Sequence, residues 1–409
     1  MSDEESLDAA APSRPLPPVW LMGLGFLPLG ASGSLTLITT PTLLAGLHVP
    51  EAQIAVVTTI ALVPGFIGFV LGPLLDWRFS RRFYAILFSV LGAACQFAAL
   101  LLIHDLVWLS TLLFAESLFI GMAVAAVGGW FGNLTPTEKK GALGAWFTVT
   151  NLGAGGLVAA VAIMALRDLP YALGAGLLSL TIVAAIPLFL WVECPPADGR
   201  LASESFSAFA GDVAALLKRP SVLWTLAIFL APCASFALTN ILGGLGADYH
   251  TPESLVGLIG GLGISIAGVF GSLAIPILAR VIPPRPLYLM VGGLGAAFTL
   301  TLILMARSPT TYGVAVLGEN VFQAASFSVG NMITLRTIGH DNPLAATQFG
   351  LLTSAGSLPL MYMQIVDGHA YAAMGGVNGS LIADAGVSGL ACVALALVLW
   401  ACRRWIPAI

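Results

Sequence analysis

Apolar stretches of about 20 residues follow one another along almost the whole chain and limit what it can fold into. Only 9% of the 409 residues are charged, whereas about a quarter is normal for a soluble domain. The mean hydropathy is +0.96. Inside a bilayer, a helix satisfies its own backbone hydrogen bonds. The sequence therefore predicts an all-α integral membrane protein with a lipid bilayer as its surroundings.

Charged residues and clusters of proline and glycine divide the chain into twelve predicted transmembrane helices. They fall near residues 19–46, 52–75, 83–103, 106–131, 141–166, 171–192, 221–246, 254–279, 286–306, 311–333, 344–366 and 379–401. With the N-terminus inside, only Arg167 and Arg307 of the 16 Lys and Arg residues fall on the outer side. This bias follows the positive-inside rule. We therefore expect a multi-pass protein of the cytoplasmic (inner) membrane with both termini cytoplasmic.

The two halves of the chain resemble each other at an offset of 203 residues. Ser32 and Thr36 in the first half return as Ser235 and Thr239 in the second. A repeat in the same direction predicts two parallel, pseudo-symmetric six-helix bundles. The expected divisions are a disordered cytoplasmic tail (1–18), an N-terminal bundle (19–192), a cytoplasmic linker (193–220), a C-terminal bundle (221–401) and a cytoplasmic tail (402–409). The linker contains an amphipathic stretch that either lies at the membrane surface or is a plain tether.

Two lone acids, Glu116 and Glu319, lie in the middle of long apolar runs and are related by the same offset. An ionisable group at bilayer depth costs at least about 2.5–3.5 kcal/mol on insertion scales, so it is a functional-site hypothesis by default. Both acids are candidates for proton coupling. The alternative is a protonated acid that is hydrogen-bonded to a neighbouring helix for packing.

Neutral polar side chains within the predicted spans are candidates for binding a polar organic substrate. They are Ser32, Thr36, Asn151, Ser235, Thr239, Asn240, Asn320, Gln323 and Gln348. For any single one, a bond to its own helix or to a neighbouring helix is the plainer interpretation. No Lys or Arg falls in the middle of a span, which argues against strongly anionic substrates.

A short motif follows the second predicted span: Gly72, then Asp76 four residues later, then the pair Arg81 and Arg82. With the twelve spans and the two repeats, this motif resembles the major facilitator superfamily of transporters. The resemblance implies that spans 1, 4, 7 and 10 line a central cavity. It also implies that these four residues gate the seam between the bundles. The alternative is that the motif is only a positively charged anchor.

Residues 73–76, 130–141 and 346–349 are similar to the muropeptide permease (AmpG-type) and acetyl-CoA transporter branch of that superfamily. That branch carries acids near the end of span 4, whereas residues 125–130 of this chain contain none. The sequence thus predicts a secondary active transporter that moves a small polar organic solute by alternating access, coupled to protons. A muropeptide-type permease and a non-transporting membrane receptor on the same scaffold are the alternatives.

Catalysis is not expected from this chain. The segment around Ser32 is similar to the serine motif of intramembrane proteases, but all five histidines fall in loops or at span ends. The five cysteines are scattered, without a metal-binding spacing. We expect no enzyme activity, no cofactor, no metal and no nucleic-acid partner. The expected partners are a small-molecule substrate and protons, with the protein acting as a monomer.

Overall fold

The computed structural model describes residues 15–193 and 206–404, and helices make up nearly all of these two ranges. The main helices are α1 Val19–Gly46, α2 Glu51–Asp76, α3 Arg81–Leu101, α4 Leu106–Leu134, α5 Thr137–Asp168, α6 Tyr171–Trp191, α7 Phe206–Leu216, α8 Pro220–Leu230, α9 Leu238–Leu242, α10 Glu253–Leu278, α11 Pro284–Ile303, α12 Pro309–Ile338, α13 Ala345–Ala373 and α14 Val377–Ala401. No strand occurs within the described ranges. The expected all-α membrane fold is confirmed.

Ten helices in the described part are long and apolar enough to cross a bilayer, or eleven if the bent pair α7 and α8 is one span. The difference from twelve has two local causes. The predicted seventh span breaks after α8, where Ala231 is extended and Pro232 follows, and it continues as short turns and α9. The predicted tenth span is α12, which has 30 residues but carries several polar side chains, among them Glu319.

The predicted tails and linker lie partly outside the described residues, namely at 1–14, 194–205 and 405–409. The amphipathic stretch of the linker is helical as α7. It packs Val213 and Leu216 against the apolar cluster of the second half and leaves Gly211 and Asp212 exposed. This helix meets α8 at a bend of 62°.

Close approach of helices from the two halves depends on small residues. A Cβ atom on Gly129 of α4 would lie 2.4 Å from the backbone nitrogen of Ala346 in α13. A Cβ atom on the adjacent Gly128 would lie 2.5 Å from the ring of Phe349. On α2, a Cβ atom on Gly72 would lie 3.3 Å from Thr347. The first turns of α13 therefore pack directly on the first half of the chain.

Candidate functional site

A cavity of about 270 Å³ lies between the two halves of the chain. Its lining is rich in aromatic side chains, namely Phe26, Phe69, Phe147, Phe229, Tyr288, Phe327 and Phe349. Several glycines leave room beside them, and a Cβ atom on Gly121 would meet nothing within 4 Å. The polar lining is neutral and includes Asn151 and Asn331. Residues from α2, α4 and α5 face residues from α8, α12 and α13 across this space, so ligands in it would contact both halves.

One end of the helical bundle, where Arg81, Lys140 and Arg336 lie, is called the basic end here. At this end, both carboxylate oxygens of Asp76 accept hydrogen bonds from the first turn of α13. The backbone nitrogens of Ala346 and Thr347 donate at 3.2 and 2.7 Å, and the Thr347 hydroxyl donates at 2.7 Å. A carboxylate suits a helix N-terminus because the first backbone N–H groups have no partner within the helix.

Arg81 pairs with Asp76 and also bonds the loop before α13 in the other half. Its Nε donates to the Asp76 Oδ1 at 2.7 Å, and both side chains are buried. Its Nη2 donates to the backbone carbonyls of Asn342 and Pro343 at 3.1 and 2.7 Å. Gly72 permits the close approach of α2 to Thr347 described above. Arg82 is half-buried and makes no hydrogen bond or ion pair within the described ranges.

Lys140 binds the other end of the loop that joins α12 to α13. Its side chain is fully buried, and its Nζ donates to the carbonyls of Leu335 and Gly339 at 2.9 and 2.6 Å. These carbonyls lie at the C-terminal end of α12, where a cation is favoured by the helix dipole. The first half thus supplies an anion to the start of α13 and a cation to the end of α12.

Amide and imidazole groups complete the seal at the basic end. The Asn133 Nδ2 donates to the carbonyl of Asn342 at 3.0 Å, and the Asn133 Oδ1 accepts from the Asn342 backbone at 3.3 Å. His340 lies 3.2 Å from the Thr137 hydroxyl and 3.2 Å from the carbonyl of Asn133. Above this layer, Phe26 stacks on Phe147 with ring centroids 3.9 Å apart and meets Phe349 edge-on at 6.1 Å. Polar and aromatic layers together separate the cavity from the basic end.

Glu116 faces the interior of the first half rather than the cavity. It is fully buried and accepts hydrogen bonds from Thr36 at 3.4 Å and from Ser117 at 3.2 Å. Thr36 also lies 3.5 Å from the Gln96 Oε1, and Ser32 is a further neighbour of the carboxyl. Glu116 is therefore surrounded by neutral hydrogen-bonding groups from α1, α3 and α4.

Glu319 lies in a different environment in the second half. It is fully buried and accepts a hydrogen bond from Thr299 of α11. Asp384 of α14 is close enough to interact with it electrostatically, and Asp367 of α13 interacts with both. Neither Asp367 oxygen has a hydrogen-bond partner in the described part of the chain. Glu319 thus belongs to a group of three buried carboxyls that interact electrostatically.

Asp367 and Asp384 are not among the site residues predicted from the sequence. The predicted eleventh span ended one residue before Asp367, whereas α13 continues to Ala373 and buries it. At the 203-residue offset the first half has Met164 and Thr181, so the repeat gave no signal. Asp384 was visible as an acid within the predicted twelfth span.

Among the predicted substrate-binding residues, Asn151 lines the cavity and the others do not. Gln323 bridges α12 to the seventh span by donating to Thr239 at 2.6 Å. Asn320 donates to the Val316 carbonyl of its own helix at 2.8 Å. Asn240 is exposed, and Ser32 and Thr36 lie beside Glu116. Ser235 is buried outside the cavity lining, and its hydroxyl has no partner in the described part of the chain.

Gln348 belongs to the seal rather than to the cavity. It accepts from the Asn342 Nδ2 at 2.8 Å and donates to the carbonyl of Thr337 at 3.0 Å. Within the described residues, no group of three or more His, Cys, Asp and Glu side chains is arranged to hold a metal ion.

Comparison with known proteins agrees with this architecture. The family model described as "Major Facilitator Superfamily" matches residues 22–362. The human organic anion transporter MFSD10 (TETRAN) has a similar structure, with 17% identity, a TM-score of 0.69 and coverage of 93% of this chain and 100% of that one. No curated protein matches this sequence.

Two further solved structures have a similar fold. A bacterial homologue of the iron transporter ferroportin, in an outward-facing state, shares 16% identity with a TM-score of 0.66, covering 93% of this chain and 99% of that one. The proton:xylose symporter XylE shares 13% identity with a TM-score of 0.66, covering 95% of each chain.

The chain thus combines apolar helices that can cross a bilayer with a cavity that is lined by residues of both halves. The family match covers most of the chain, so this chain belongs to the major facilitator superfamily. It is accordingly a multi-pass integral membrane transporter rather than an enzyme.

Proposed function

We propose that this protein is a proton-coupled secondary active transporter that moves a small organic solute by alternating access. The observation that carries the proposal is the cavity between the halves, which is closed at the basic end by bonds from both halves. Asp76 and Gly72 act at this gate with Arg81, while Arg82 contributes positive charge beside it. The basic end is the cytoplasmic side, and the described conformation is outward-facing. This assignment follows the distribution of Lys and Arg in the sequence.

Proton coupling is assigned to the buried acids. A carrier driven by protons needs a group that binds a proton in one conformation and releases it in the other. Glu116 and Glu319 are both fully buried between helices of one half. The proposal therefore requires that the conformational change gives water access to at least one of them. Glu319 is the stronger of the two candidates, because Asp367 and Asp384 are near enough to interact with it electrostatically. Protonation of any one of these carboxyls would relieve the repulsion among them.

Other features of the proposal rest on the sequence and the family. The motifs at 73–76, 130–141 and 346–349 favour the muropeptide and acetyl-CoA transporter branch. Both termini are placed in the cytoplasm, in an inner-membrane protein that acts as a monomer. A non-transporting receptor on the same scaffold is the competing function, and flux across proteoliposomes separates the two.

The test uses proteoliposomes with an imposed pH gradient and a solute identified by counterflow screening. Glu319→Gln keeps the shape and hydrogen bonding of the side chain but carries no proton. We expect it to abolish gradient-driven accumulation while retaining exchange of solute for solute. Glu116→Gln is the matched variant in the first half. Asp105→Asn is the control, because Asp105 is exposed and caps the start of α4. Normal accumulation by both single Gln variants would show that the acids are packing groups.

A further inference from the structure

The wall of the cavity contains no ionisable charge apart from the tyrosine hydroxyl, although it is built from both halves. Among the described residues, no Asp, Glu, Lys, Arg or His side chain lines it. Three buried acids outside the lining have their own partners: Asp76 bonds the start of α13, Glu116 bonds Thr36, and Glu319 bonds Thr299. A charged ligand in this space would lose hydration without gaining a counter-ion, and that loss is costly. The wall therefore favours an uncharged ligand.

Five of the seven aromatic rings that line the cavity pack against another ring, whereas Phe69 and Phe327 make no ring contact within the described residues. Phe26 stacks on Phe147, and Phe349 meets Phe26 edge-on. Phe229 packs against Tyr288 with ring centroids 5.6 Å apart. A cation needs the free face of a ring to gain from its quadrupole. These paired rings instead offer edges and apolar surface, which suit a ring or a hydrocarbon chain.

The neutral polar groups of the lining are hydroxyls, such as those of Thr334 and Ser357, and two side-chain amides. Asn331 donates to the Thr148 hydroxyl at 3.3 Å across the halves, which leaves its carbonyl oxygen available. The side chain of Asn151 makes no hydrogen bond within the described ranges. A primary amide offers two donors and an acceptor, so it pairs with a ligand amide, carbonyl or hydroxyl group.

From these observations we infer that the cavity binds an uncharged molecule in which an apolar ring carries one neutral hydrogen-bonding group. The ring lies among Phe229, Phe327 and Tyr288, and the polar group pairs with Asn151 and Asn331. This assignment rests on the proposed function, because it names the solute class of the same site. It replaces the expectation of a generally polar solute with a narrower one.

The test compares three probes that share a phenyl ring on a three-carbon chain and differ in the polar group at its end: neutral 3-phenylpropanamide, anionic 3-phenylpropanoate and cationic 3-phenylpropylamine. Binding to the purified full-length protein and to its double variant Asn151→Ala, Asn331→Ala is measured by titration calorimetry, with protein-free micelles as the blank. We expect the amide to bind about tenfold or more tightly than either ion. The double variant should abolish its saturable binding.

A pair of glycine variants tests whether the ligand lies in this cavity. The leucine side chain of Gly121→Leu would project into open space at the cavity wall. That of Gly293→Leu would project into open space at a position outside the cavity lining. We expect Gly121→Leu to weaken amide binding about tenfold and Gly293→Leu to leave it unchanged. The inference would be overturned if either ion bound as tightly as the amide or more tightly, or if the amide did not bind. It would also be overturned if Gly121→Leu did not change the affinity for the amide.

Counterflow with the same probes in proteoliposomes separates the two proposals. Exchange of the ions but not of the amide would leave transport standing and overturn the neutral-ligand assignment. Saturable amide binding without any exchange or flux would support the cavity chemistry and contradict transport. Exchange of the amide that is lost in Gly121→Leu would support both.

Discussion

Single buried side chains hold the basic end closed by pairing with helix termini. Asp76 bonds the first turn of α13, and Lys140 bonds the last carbonyls of α12. The motif around Asp76 predicted a gating role for this residue. Lys140 was counted with the other Lys and Arg residues of the inner side, and no gating role was predicted for it. Nothing local distinguishes Lys140 from Lys139, because the difference is made by the tertiary packing that buries one and leaves the other exposed. Lone acids in apolar runs, such as Glu319, were easier to find because any charge there is expensive.

Replacing Lys140 by Met should favour opening of the basic end. Two charge-assisted hydrogen bonds are lost, and each contributes about 1.5–3 kcal/mol. Spin labels at Glu138 and Asp341, which are exposed on the two halves, should report a larger population of long distances. Lys139→Met removes the same charge from an exposed position and serves as the control. An unchanged distance distribution in Lys140→Met would contradict this role.

At the scale of helices, the sequence predicted most spans correctly because a hydrophobic run of this length has few alternatives in a bilayer. It could not predict that the seventh span breaks at Ala231, because a proline inside a transmembrane helix is often tolerated. Nor could it predict that Gly128 and Gly129 are the positions where α13 packs closely against α4. Glycine in an apolar run permits close approach, but the partner helix is chosen by the fold. Most predicted substrate residues therefore face neighbouring helices instead of the cavity.

The contact between α2 and the start of α13 makes a specific prediction for Asp76→Asn. An amide keeps the shape but loses the negative charge opposite the helix N-terminus, and it weakens the buried pair with Arg81. Breaking a buried ion pair costs about 3–5 kcal/mol, so the basic end should open more often. The measurement is alkylation of Leu75→Cys, a buried residue of the cavity lining, by an impermeant maleimide from the basic side.

Asp105→Asn provides the matched control for that experiment, since Asp105 caps α4 at the end remote from the seal. Its alkylation rate should equal that of the parent. Equal rates in Asp76→Asn and the parent would show that Asp76 does not hold the basic end closed.

For the whole molecule, the internal repeat predicts the architecture but not the gate. At the 203-residue offset, Asp76 corresponds to Ala279 and Lys140 to Pro343, so the second half has no copy of these charges. The first half instead supplies charged side chains, and the second half supplies helix termini and loop carbonyls. A seal built in this way can break as a unit when the halves rotate, because its bonds cross one interface. The gate therefore belongs to the junction of the halves rather than to either repeat.

If transport requires that junction to open, a cross-link across it should stop transport without preventing binding from the opposite side. The Thr137 hydroxyl and the His340 ring lie 3.2 Å apart on different halves. A reversible thiol cross-linker on Thr137→Cys with His340→Cys should reduce solute exchange about tenfold or more, and reductant should restore it. Arg307→Cys with Asn378→Cys is the control, because these hydrogen-bonded residues both lie in the second half. Exchange that continues in the cross-linked first pair would contradict alternating access through the basic end.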